Sequence, residues 1–166
     1  MTDDVFYKTD ASLEEARQWT RAGSEKGVKC PCCDRRVKLE KRPFNEPMAT
    51  VLILIYRHFE SNPTEEWLHV ESFIPQKLRG DWTRMKEWGF IEKMPKTAPI
   101  KVGVKRAGHY RITDLGRQFV RREMSAAAHY YSYNGKRQPR RVDEKIFIEE
   151  VIENKREGYD ALMAGT

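Results

Sequence analysis

The sequence predicts an α+β fold, mostly helical, with a folded centre between two more polar ends. Three observations predict it. Met48, Val51, Leu52, Ile55 and Phe59 recur at helical spacing. Two short segments with apolar stripes meet at Gly80, which breaks the helical run between them. The strand-like runs Phe90 to Met94 and His109 to Thr113 flank a stretch rich in turn formers, as the arms of a long hairpin do. At 166 residues the chain is long enough for one domain with a real core, since a domain near this length buries roughly 70% of its unfolded surface. It is too short for two full ones.

Taken in order, Ala11 to Arg21 has helical composition with Ser12 as its cap, and Gly23 and Gly27 end it. The cysteines Cys30, Cys32 and Cys33 follow, and then Val37, Leu39 and Phe44 among Lys38, Lys41 and Arg42 read as a small strand or extended arm. Asn45 is a good N-cap and Pro47 falls in the first turn, where a missing N–H costs nothing. Ile53 and Leu54 widen the stripe of the helix that follows until it must be largely buried, and Asn62 and Pro63 stop it. Trp67 to Val70 reads as a short strand; Ser72 is placed to cap a helix reaching Leu78, and Asp81 to cap the next. That second helix carries Trp82, Met85 and Trp88 on one face and ends at Gly89, a residue that takes a left-handed C-terminal cap without strain. After the hairpin, helical spacing resumes from Asp114 through Leu115, Phe119 and Val120 to about Ala128. The run His129 to Tyr133 suggests a strand or arm, and Glu144 to Lys155 a last amphipathic helix through Ile146, Phe147, Val151 and Ile152.

Charge is unevenly spread. The net +6 conceals residues 125 to 142, with four basic and no acidic side chains, and residues 143 to 166, with three basic and seven acidic ones. No run approaches the 18 or so apolar residues of a membrane span, and Met1, Thr2, Asp3 and Asp4 lack a secretory signal, so the expectation is a cytoplasmic protein without membrane partners. Three cysteines within four positions cannot staple distant parts of the fold, which fits a reducing compartment. Phosphate-cradling glycine loops, a nucleophile elbow and a His-Glu zincin helix are absent, and no acid-base pair stands out; the chain is not expected to be an enzyme.

The segment Met85 to Lys93 (MKEWGFIEK) resembles the end of a winged-helix recognition helix running into the first wing strand. Tyr110 to Arg117 (YRITDLGR) resembles the second wing strand entering the final helix. With the cysteine motif and the helix from Asn45, the chain from about residue 28 to 163, including Tyr159, Asp160, Leu162 and Met163, also resembles a group of uncharacterised bacteriophage and prophage proteins. The resemblance implies a winged helix-turn-helix core over residues 45–128. Residues 1–44 would be an N-terminal helix with a zinc-knuckle-like arm, and residues 129–166 a basic-aromatic connector with a C-terminal helix. It implies a DNA-binding regulator of phage or prophage transcription and brings no established activity.

The residues supply a candidate surface for double-stranded DNA. With Leu78, Trp82, Met85 and Trp88 inward, the second short helix would present Thr83, Arg84 and Lys86, preceded by Lys77 and Arg79. Arginine can pair with guanine edges while lysine holds phosphates. In the hairpin, Lys96, Lys101, Lys105 and Arg106 lie within Pro95 to Gly108 without an acidic residue, and neutralising several phosphates makes binding fall with salt. A solvated lysine-rich loop is the bland reading of the same residues.

Cys30 and Cys33 have Cys-x-x-Cys spacing, which places two thiolates on one turn as a zinc knuckle requires, but a tetrahedral site needs four ligands. No second such pair exists, and His58, His69, His109 and His129 are scattered singly. Two readings stay open: zinc held by Cys30 and Cys33 with distant or partner-chain groups, and a degenerate knuckle with free thiols. Tyr130, Tyr131 and Tyr133 before Lys136, Arg137, Arg140 and Arg141 interleave rings with bases as single-strand binders do, although such tyrosines more often pack. The last helix could close the core or form a homodimer. The alternative from another class is a phage-encoded interaction factor that binds and inhibits a host protein, with the acidic tail as a nucleic-acid mimic.

Overall fold

A computed structural model describes residues 11–100 and 102–165. It begins with α1 (Leu13–Gly23), followed by three short strands, β1 (Val28–Lys29), β2 (Arg36–Val37) and β3 (Glu40–Pro43). The long helix α2 (Glu46–Ser61), β4 (Leu68–His69) and the single turn α3 (Val70–Phe73) come next. Two 3₁₀ helices follow, Gln76–Leu78 and Asp81–Trp88, then β5 (Ile91–Lys93) and β6 (His109–Ile112). The chain continues through α4 (Asp114–Val120), β7 (Ala126–Ala127), β8 (His129–Tyr133), β9 (Lys136–Arg137) and β10 (Lys145–Ile146). A 3₁₀ turn, Ile148–Val151, and α5 (Lys155–Ala164) complete it. The fold is mixed α/β, with helices and several small antiparallel sheets.

The chain packs as two compact units. The first comprises residues 11–42 and 130–141, the second residues 43–129 and 142–165. In the first, α1 opens with a full capping box: the Ser12 hydroxyl accepts from the Glu15 amide while the Glu15 carboxylate accepts from the Ser12 amide. β1 pairs antiparallel with β2, and β3, β8 and β9 form a three-stranded sheet. Only Ala16, Ser24, Tyr130 and Ser132 are buried among its described residues, a very small core.

In the second unit α2 is the spine. The Asn45 side chain accepts from the Met48 amide, and Pro47 sits in the first turn. Val51, Leu52, Ile53 and Ile55 are fully buried, so the helix is enclosed on most sides, as the wide stripe requires. Phe44, Phe90 and Phe119 pack together against this core, with Phe90 and Phe119 stacked at 4.5 Å and Phe44 edge-on to both. β4 and β5 flank β6, with Leu68 opposite Tyr110 and Ile91 opposite Ile112. β7 pairs with β10, and the acidic tail contributes Ile148, Ile152 and Tyr159 to the core.

Four sequence expectations are corrected. Ser72 does not cap a helix to Leu78: the His69 imidazole caps α3 by accepting from the Ser72 amide, and Ile74 and Pro75 separate that turn from Gln76–Leu78. Asp81 does not cap its helix, since Gly80 occupies that position and the Asp81 carboxylate turns to Arg84. The helix from Asp114 stops at Val120, because Arg122 takes a left-handed backbone (φ 61°) and Ala126–Ala127 is drawn into a strand. The helix expected over Glu144 to Lys155 is instead β10 and a 3₁₀ turn, and the last helix begins at Lys155. There Ile146 pairs with Ala126, the 3₁₀ turn buries Ile148, and Ile152 is buried just after it while Phe147 stays exposed, so strand pairing and the turn override the helical spacing.

Candidate nucleic-acid interface

The segment Asp81–Trp88 is a 3₁₀ helix, and its sequence suits one. With three residues per turn, side chains at i and i+3 eclipse, so Trp82, Met85 and Trp88 form a single line facing the core. Trp82 and Met85 are buried, with Trp82 edge-on to Tyr110 at 4.9 Å. Trp88, half-buried, donates its indole N–H to the Ala127 carbonyl at 2.7 Å. Leu78 and Trp88 also pack against the core, so the inward set expected from sequence is in place. Gly89 takes the left-handed cap (φ 76°).

The same geometry sorts the polar residues onto two further lines. Thr83 and Lys86 share one. Arg84 shares the other with Asp81 and Glu87, and its guanidinium lies 3.2 Å from the Asp81 carboxylate. Lys86 is exposed and only at the limit of ion pairing with Glu87, 4.0 Å away. Lys77 and Arg79 are exposed beside the turn that Gly80 makes. Arg84 is therefore held within its own element, whereas Lys77, Arg79 and Lys86 project into solvent.

In the hairpin loop Lys96 and Lys105 are exposed. Arg106 is not presented outward: its guanidinium donates to the Pro95 carbonyl at 2.9 Å and also to the Ala98 carbonyl, closing the base of the loop. Lys101 lies outside the described residues. A second concavity of the same unit, of about 790 Å³, contains Glu65, Glu66, Glu92 and Asp114 against Arg111 and Arg117. Arg111 pairs with Glu66 and Glu92, and Arg117 with Glu60, so that cleft has no positive charge left to meet a phosphate.

The histidines stand apart. His58 pairs with Glu65, His69 caps α3 and faces His109 across the strand pair, and His129 is buried 3.5 Å from Glu144.

Cys30 and Cys33 lie on the turn joining β1 to β2, where the Cys30 amide donates to the Arg35 carbonyl and the Asp34 amide to the Cys30 carbonyl. The Cys32 amide, with the thiol and amide of Cys33, holds the Cys30 thiol below its ordinary pKa. Cys32 is pushed up, by desolvation and then by the charge of Cys30. Amide-to-sulfur bonds of this kind favour a metal-binding thiolate. No group of three or more His, Cys, Asp or Glu placed to hold a metal occurs among the described residues. Among the described residues, a metal at this turn would meet Cys30 and Cys33 without a third and fourth ligand beside them.

Sequence reasoning missed the tip of the β8–β9 hairpin. Ser132 pairs with Arg137 and Tyr133 with Lys136, which leaves Asn134 and Gly135 as a two-residue turn with positive φ at both. Asn-Gly between paired runs is the strongest short-range hairpin signal and was available in the sequence. No protein-family model matches the chain, and no curated protein or solved structure is significantly similar to it. No helix among the described residues is long and apolar enough to cross a membrane.

Proposed function

We propose that residues 43–129 form a winged helix domain that binds double-stranded DNA, as a phage or prophage transcriptional regulator would. One observation carries this reading: the Trp82, Met85 and Trp88 line anchors a short helix whose outer edge presents the exposed Lys86, with Lys77 and Arg79 exposed beside the turn before it. The hairpin β5–β6, with β4 added to it and Lys96 and Lys105 exposed in its loop, is in keeping with a wing. In this reading Lys77, Arg79, Lys86, Lys96 and Lys105 meet phosphates, Thr83 lies on the Lys86 edge, and Arg84 exchanges its carboxylate partner for a base or phosphate on binding. Arg106 shapes the loop.

A mobility-shift titration at two salt concentrations tests it. Lys86→Ala and Lys105→Ala are each expected to weaken duplex binding and to lower the salt slope by about one phosphate's worth. Arg84→Ala weakens binding and relaxes sequence preference if the guanidinium reads a base. Unchanged affinity in all three variants sinks the proposal. Tight capture of one host protein without duplex affinity would favour the interaction-factor reading.

Cys30 and Cys33 are the residues that would hold zinc, with the remaining ligands supplied by a partner copy in a homodimer or by groups outside the described residues. The metal would supply a cross-link at the end of the β1–β2 pair, where the buried core is smallest.

A further inference from the structure

The first unit contains a cleft of about 640 Å³ between β2 and the tip of the β8–β9 hairpin. Three cations line it, Arg35, Arg36 and Lys38, and none is paired with a carboxylate of the described residues. Glu40, the acidic residue of the cleft, is paired with Arg42, which offsets its charge. The Arg36 guanidinium rests on Gly27, where an added Cβ would lie 3.2 Å from Nε, so its position is set by the backbone beneath it. Gly27 also has φ 90°, which only glycine adopts without strain. Across the cleft stands Tyr133, 38% exposed, held at the hairpin tip by the Asn134-Gly135 turn and placed opposite Lys136. Arg140, by contrast, lies over the Tyr131 ring and pairs with Glu25, so that cation and that ring are already engaged.

We propose that this cleft binds single-stranded nucleic acid, with Arg35, Arg36 and Lys38 on the phosphates and a base stacked on Tyr133. Arg36 and Lys38 are two residues apart on an extended chain, which sets them roughly 6–7 Å apart along one edge, in reach of neighbouring phosphates of a stretched strand. An exposed tyrosine ring offers any base a face to stack on, and only an unpaired base can use it, because a duplex covers its base faces. The site is independent of the duplex surface proposed above: it lies in the other unit and shares no residue with it.

Fluorescence anisotropy of a labelled oligothymidylate with the full chain tests this, with an oligouridylate of equal length showing whether the strand is read as DNA or RNA. Tyr133→Ala is expected to weaken single-strand binding about fivefold or more, while Tyr133→Phe keeps it, because the phenyl ring stacks as well. Arg35→Ala and Arg36→Ala lower the affinity and reduce the salt slope by about 0.7 each. Lys86→Ala leaves single-strand binding unchanged, which separates this site from the duplex surface. Loss in the arginine variants with none in Tyr133→Ala would mean a polyanion held without stacking and would overturn the single-strand assignment. No change in any of the three variants Tyr133→Ala, Arg35→Ala and Arg36→Ala would overturn the site itself.

Discussion

Individual residues decide more here than their frequency suggests. Gly116 is one, because a Cβ at this position would sit 2.3 Å from the Phe90 carbonyl oxygen, a backbone atom that cannot swing aside. Gly116→Ala is therefore expected to cost about 1–3 kcal/mol through overpacking, seen as a lower midpoint in denaturant at unchanged slope; a neutral substitution would show that α4 can shift away from the strand. Cys30 is another. With its pKa held down by the Cys32 amide and its neighbour Cys32 pushed up, alkylation of the metal-free protein should modify Cys30 at lower pH than Cys32, which peptide mass spectrometry across a pH series reads directly. Arg106 shows the limit of counting charges. Sequence placed it in the basic loop, but nothing in the residue type says that its guanidinium turns onto two carbonyls of the same loop.

At the scale of elements, end signals were legible where the chemistry is local. Ser12, Asn45 with Pro47, and Gly89 act within one turn of their own backbone, and each stands where the sequence put it. Asn45→Ala is expected to remove about 1 kcal/mol, lowering the thermal midpoint by a few degrees; an unchanged midpoint would mean that burial alone positions α2. Misreadings came where partners are remote. Ala126 and Ala127 favour helix by themselves, yet they pair with Ile146 and Lys145, and of the stripe Ile146, Phe147, Val151 and Ile152 only Ile152 is buried, with Phe147 left exposed. The three-residue repeat of Trp82, Met85 and Trp88 is visible in the sequence as one face of a helix, without saying which kind of helix it is. At 3₁₀ spacing it becomes a single line, and the difference is what moves Arg84 onto an edge with Asp81 and Glu87.

For the whole molecule, the two units differ in what holds them. The second has a continuous core from Phe44 to Tyr159; the first buries four described residues and carries all three cysteines. Small cores commonly require a staple. If zinc supplies it, chelation or Cys30→Ser should open residues 11–42 and 130–141 to limited proteolysis while residues 43–129 stay protected; equal protection with and without metal would remove zinc from the account. The basic residues of the proposed duplex surface, Lys77, Arg79, Lys86, Lys96 and Lys105, were legible in the sequence, whereas the cleft of the first unit was not. Arg35, Arg36 and Lys38 meet Tyr133 across nearly a hundred positions of sequence, and no local pattern announces such an encounter.

The interleaving of the two units bears on how the protein is made. Each is assembled from two stretches of chain, and the second stretch of the first unit is enclosed by those of the other. Closing such long loops carries a large entropic cost before any contact rewards it. A ribosome must deliver residues 130–141 before the β3–β8–β9 sheet can form, and residues 142–165 before Ile148 and Tyr159 can fill the other core. Neither unit can finish folding during synthesis until its late stretch has emerged, and a nascent chain stalled near residue 129 has neither half complete.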